Sequence, residues 1–118
     1  MEELHPPKGD RECDHGEVPE LVDPGCEGSL ISRGNRLAST PELFLSHAQD
    51  SQQRTNMTVF QSSDAGEHWT AIHNVRHGPS AYSSLVSLSQ SYVGLLWEAW
   101  DSGESDYNSI YFVALPAQ

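Results

Sequence analysis

SSDAGEHW, residues 62–69, is the stretch whose reading decides the fold. It lies between two apolar runs, RTNMTVFQS (54–62) and WTAIHNV (69–75), so it must reverse the chain within a few residues. Its residue types suit that task. An aspartate side chain such as Asp64 accepts backbone N–H groups of the turn, and a glycine such as Gly66 tolerates positive φ. Trp69 can pack its ring under the loop, with Ser62 opening it. The local chemistry is that of a hairpin turn with an aromatic lid, and no catalytic role is needed to explain it.

Outward from this turn the texture repeats. GSLIS (28–32), ELFLSHA (42–48), YSSLVSLS (82–89), YVGLLWEAW (92–100) and SIYFVAL (109–115) are short runs rich in β-branched, aromatic and aliphatic residues. Gly, Pro, Asp, Ser and Asn clusters separate them, as between strands. No segment keeps apolar residues at helical spacing. The sequence therefore predicts an all-β chain of antiparallel hairpins, with a Gly78-Pro79 turn before Tyr82. Residues 1–20 are acidic, contain Pro6-Pro7 and lack apolar periodicity, which predicts a disordered lead ahead of the folded part at 21–118.

Composition narrows the partners. In 118 residues there are 17 acidic and 6 basic side chains, a formal net charge of -11, which argues against nucleic acid and anionic membranes. Hydrophobic residues make up 36%, low for a self-sufficient core. No run is long enough to span a bilayer, and the first residues lack the apolar segment of a signal peptide. Localisation is not legible. Asn56-Met57-Thr58 is a sequon that matters only in the secretory pathway. Cys13, His15 and Cys26 fall short of the four closely spaced ligands of a zinc site, so no metal and no cofactor is expected.

The pattern S-x-D-x-G-x-x-W, carried by Ser62, Asp64, Gly66 and Trp69, resembles the Asp box of β-propeller blades. LVDPGCEGSLI (21–31), LFLSHAQDSQQRTNMTVFQSSDAGEHW (43–69), GPSAYSSLVSL (78–88) and VGLLWEAW (93–100) resemble, in that order, the C-terminal portion of exo-α-sialidases. The Asp box alone is shared by many propellers; the ordered set is more specific. The resemblance implies antiparallel four-stranded blades, about two of the six in the family's propeller. Two blades alone would leave edges unburied and invite self-association.

The family releases terminal sialic acid from glycoproteins, glycolipids and oligosaccharides with retention of configuration. It uses a tyrosine where most glycosidases use a carboxylate. The anomeric carbon of sialic acid already bears a carboxylate, so a neutral phenol avoids like-charge repulsion. The resemblance makes Tyr82 that nucleophile, where the residues alone also allow a wedge at a strand start. It makes Arg54 a grip on the substrate carboxylate, a task suited to a planar, permanently charged fork. It makes Glu98 the brace of another arginine of the site, and Trp97 stands where the family usually has tyrosine. His47, His68, His73 and His77 read as loop or surface residues.

The family's acid/base aspartate, its tyrosine-activating glutamate and two further arginines lie upstream of the matched stretches. The acids Asp10, Asp14, Glu17 and Glu20 resemble none of them. A lone phenol without its base titrates near pH 10 and is a poor nucleophile at neutral pH. The expectation is therefore a sialidase part that is inactive by itself. The alternative is a non-catalytic, sialidase-like module that binds glycans or another protein.

Overall fold

The structure, a computed structural model, describes residues 18–34, 39–101 and 109–117. Most of the acidic lead, with Cys13, Asp10, Asp14 and Glu17, lies outside the described residues, as does the prediction of disorder there. The described chain is all-β. Its strands are β1 (Ser29–Arg33), β2 (Glu42–Ala48), β3 (Thr55–Ser62), β4 (Thr70–Ser87), β5 (Tyr92–Ala99) and β6 (Ser109–Pro116). They pair antiparallel in chain order, so each strand lies beside its sequence neighbours. No helix among the described residues is long and apolar enough to cross a membrane.

β4 differs from the reading of its sequence. The runs at 69–75 and 82–89 join into one 18-residue strand, and Gly78-Pro79 lies within it rather than forming a turn between strands. The reason is a change of neighbour. The first half of β4 pairs with β3 as far as Thr55↔Pro79. The second half pairs with β5 from Ser80↔Ala99 onward. Pro79, which has no N–H to give, falls where one ladder ends and the other begins. β1 to β3 with the first half of β4 thus form a four-stranded meander, and the second half of β4 continues into β5 and β6.

The passage of β4 between partners curls the sheet until its inner surfaces meet. Phe44, Met57 and Val59 from β2 and β3 share one core with Leu85, Val93, Leu95 and Trp97 from β4 and β5. Hydrogen bonds fasten the closure. The N–H of Ser83 donates to the Glu27 carbonyl at 3.3 Å, and that of Leu85 to Ser29 Oγ at 2.9 Å. The outer edge of β1 is therefore met by the second half of β4.

Arg33, at the end of β1, is a buried clamp that the sequence did not single out. Its guanidinium donates to the carbonyls of Ser89 and Gln90 in the β4–β5 turn, pairs with Glu42 at 3.2 Å and lies 5.1 Å from the Phe44 ring centroid. The available signal was an arginine ending an apolar strand across from the glutamate that opens the next, Arg33↔Glu42.

Candidate functional site

Arg54, Tyr82 and Glu98 come from three separate segments, and the fold brings them together. Each of the first two sits beside an irregularity in the ladder. Thr55↔Pro79 is followed by Met57↔Arg76, a register shift around Asn56, whose φ is 71°. Ser80↔Ala99 is followed by Ser83↔Trp97, a second shift that leaves Ala81 and Tyr82 facing Glu98 alone. A bulge frees a backbone group from the ladder and re-aims the side chain it carries. Here the freed N–H is that of Tyr82, and it donates to Glu98 Oε1 at 3.2 Å. Next door, the N–H of Ser80 donates to the Arg54 carbonyl at 2.9 Å, tying the two irregular segments to each other.

The side chains follow. Arg54 Cζ lies 5.6 Å from the centroid of the Tyr82 ring, within the range of a cation–π contact. Tyr82 is 44% exposed, with its ring on the outer surface, whereas a strand-anchoring wedge would be buried. Tyr82, Ser84, Leu96, Glu98 and Ile110 line a shallow pocket of about 260 Å³ on that surface. Trp97 points the other way, into the core, where it stacks on Tyr111 with ring centroids 5.5 Å apart.

Cys26 was considered only as a metal ligand, yet it is a buried free thiol close to this constellation. Burial raises its pKa, opposed by the positive charge of Arg54. Among the described residues no group of His, Cys, Asp and Glu could hold a metal ion.

The turn at 62–69 is closed by its own side chains. Ser62 Oγ donates to Asp64 Oδ1 at 2.8 Å and accepts the Gly66 N–H at 2.9 Å. Asp64 Oδ1 accepts the His68 N–H at 2.9 Å, and Trp69 Nε1 donates to the Gly66 carbonyl at 3.0 Å. Ala65 and Gly66 both take positive φ. Hydrogen bonds from the backbone and side chain of His68 pull the Asp64 pKa down to about 2, and the same carboxylate raises that of His68. Every one of these bonds is spent within the loop.

Of the four histidines expected at the surface, His68 and His77 are exposed and His73 is half-buried. His47 is the exception. It is buried in β2, stacked on Phe60 with centroids 5.2 Å apart, because its strand position faces the cover provided by residues 21–23. A second depression of about 360 Å³ lies there, lined by Leu21, Val22, Asp23, Leu30, Leu45 and His47. Its carboxylate is already committed, since Asp23 Oδ1 accepts the N–H groups of Gly25 and Cys26. In the sequon, Asn56 Nδ2 donates to the Gln49 carbonyl at 2.9 Å and Oδ1 accepts from Asn74 at 2.6 Å, so an attached sugar would replace one of the two Nδ2 hydrogens beside the first bond.

The arrangement offers a phenol and the carboxylates of Glu27 and Glu98 at one open pocket, with the Arg54 guanidinium set against the Tyr82 ring rather than in the lining. The chain was compared with models of protein families and with curated proteins, and none of them matches it.

Proposed function

We propose that the chain is the C-terminal part of an exo-α-sialidase, a retaining glycoside hydrolase acting on sialylated glycoconjugates. The observation that carries the reading is the meeting of Arg54, Tyr82 and Glu98, residues 28 and 16 positions apart, where the guanidinium lies against the Tyr82 ring and the Glu98 carboxylate accepts the Tyr82 N–H. On this reading Arg54 holds the sialate carboxylate beside Tyr82. The Tyr82 oxygen then bonds to the anomeric carbon as the bond to the departing alcohol breaks. The phenolic proton goes to a base and the alcohol takes one from an acid. Water later releases the sugar and restores the tyrosine. Base, acid and the remaining carboxylate-binding arginines are contributed by residues other than those described here, and so 118 residues on their own do not turn over substrate.

The four-stranded meander followed by a further run of strands fits two successive blades of a propeller, the second built on the latter half of β4. Face-to-face packing of the two supports the same reading. Glu98 gains a role that the resemblance did not imply: it holds the main chain of the nucleophile.

The test uses native protein captured from source cells with an antibody against residues 109–117, assayed for release of sialic acid from a fluorogenic sialoside. Activity in the captured protein, lost in Tyr82→Phe while a sialic acid analogue still binds, is the expected result. Activity that survives Tyr82→Phe rules out the nucleophile. Captured protein that binds sialosides without cleaving them leaves a glycan-binding module in place of an enzyme.

A further inference from the structure

β6 ends the strand order with no described strand along its outer edge, and the first half of β4 likewise has none on the side away from β3. β1 also ends the strand order, but the Glu27 carbonyl just before it and Ser29 Oγ at its start accept the N–H groups of Ser83 and Leu85, so the second half of β4 meets its beginning. β6 is bonded to β5 on one side, and no described strand lies along the other. Its exposed side chains identify what is missing. Ile110 is 73% exposed and Phe112 55% on the outer face, while Tyr111, on the opposite face, is 44% exposed. A cover laid on one face would leave the other bare. A neighbouring strand shields both.

The strand is also unguarded. Edge strands are ordinarily blunted by charge, proline or shortness. Residues 109–116, SIYFVALP, carry no charge and place their only proline at the end. In a chain of net charge -11 this uncharged run is the place where a second copy can approach without opposing carboxylates directly across the ladder.

We propose that β6 pairs antiparallel with β6 of a second copy about a two-fold axis, joining the two sheets edge to edge. A two-fold pairing uses the same edge in both copies, so it ends at two copies rather than running on as a filament. Centred near Phe112, the pairing brings the two Phe112 rings together and sets Tyr111 against Val113. Leu96, next to Phe112 in the register, gains cover from the same contact. The exposed parts of Ile110, Tyr111, Phe112 and Leu96 amount to roughly 400–500 Å² per copy, below the roughly 800 Å² per partner of a standard stable interface, so a weak, reversible dimer is expected. The inference does not rest on the sialidase reading, but the contact covers Leu96 and Ile110, which also line the pocket beside Tyr82, so it competes with a ligand there.

The experiment is sedimentation velocity of the full chain over a range of concentrations. The expected species is twice 13.0 kDa, favoured by rising salt as the repulsion between acidic copies is screened. Phe112→Lys, which sets like charges across the ladder, should raise the dimer dissociation constant by about tenfold or more. Leu30→Lys, similarly exposed but on β1, away from β6, should leave it unchanged. Phe112→Cys should form a disulfide-linked dimer on mild oxidation where Leu30→Cys does not, a readout that needs no loss of association. A monomer at all concentrations with native strand content overturns the proposal and leaves the edge to a strand from a different protein. Dimerisation unaffected by Phe112→Lys, or cross-linking through Leu30→Cys alone, overturns it as well.

Discussion

Replacing Arg33 with methionine keeps the aliphatic stem and removes the clamp, so it tests what holds the first strand to the β4–β5 turn. The guanidinium is buried, with its side chain 6% exposed, and its partner Glu42 is 18% exposed. In wild type, charged donors serve the Ser89 and Gln90 carbonyls, Ser87 Oγ is reached at 3.4 Å, and the Glu42 carboxylate is neutralised. Arg33→Met strands the carboxylate in a poorly hydrated position and hands the turn carbonyls back to water. Because water still reaches Glu42 in part, the cost should be about 2–4 kcal/mol, below that of breaking a fully dry pair.

That is a large share of the roughly 5–15 kcal/mol that holds a domain together. Urea unfolding followed by tryptophan fluorescence measures it, with an expected fall in midpoint of about 1–2 M and little change in slope. Adding Glu42→Gln should recover about 1 kcal/mol, since the orphaned charge disappears with it. A loss below about 0.5 kcal/mol, or no recovery in the double variant, would refute the claim that the ion pair and turn contacts act as one clamp.

Three further outcomes follow from the site and its frame. Arg54→Ala should weaken binding of a sialic acid analogue by about 2–5 kcal/mol, read by calorimetry, and unchanged affinity would remove Arg54 from the site. Gly28→Ala places a methyl 2.5 Å from the Ser46 carbonyl oxygen and should cost about 1–3 kcal/mol in urea unfolding. Gly25→Ala meets no neighbour within 4 Å but holds φ at +88°, so its cost is conformational alone and should be the smaller of the two. The Asp64–His68 pair gives the turn a pH window. Asp64, lowered to about 2, contributes above its ordinary value and is lost as pH falls toward 2; His68, raised, contributes below its ordinary value and is lost as pH rises past its folded one. The turn should be tightest between about pH 4 and 6.5. NMR titration of His68 should show its pKa falling in Asp64→Asn, and an unmoved titration would break the pairing.

Strand content was legible because the signal is local. Alternation and turn residues place β2 at 42–48 and the remaining strands within about two residues of their observed ends. The merging of two runs into β4 was not legible. Gly78-Pro79 has the same local chemistry in a turn as at a change of strand partner, and only the positions of β3 and β5 distinguish them. The nearness of Arg54, Tyr82 and Glu98 could be anticipated from their order along the chain, but the bond from Tyr82 N–H to Glu98 could not. It arises from a register shift, and side-chain periodicity does not report registers. His47 was misjudged because histidine is usually exposed, whereas the cover above it comes from residues 21–23 in a different segment. Arg33 was passed over because the β4–β5 turn that its guanidinium serves lies 54 to 57 positions away, and the nearby Glu42 alone does not mark it as buried.

The two irregular stretches that flank Pro79 have a consequence for how this chain can vary. A one-residue slip in a regular strand turns every later side chain to the opposite face. In β4 the shifts at 76–79, opposite Asn56 of β3, and around Ala81 interrupt that transmission, so the halves of the strand keep separate phase. An insertion or deletion in the turn at 62–69 would alter the pairing of β3 with the first half of β4 and be absorbed before it reached Tyr82. The decorated hairpin is thus free to lengthen or shrink over evolutionary time while the pocket keeps its geometry.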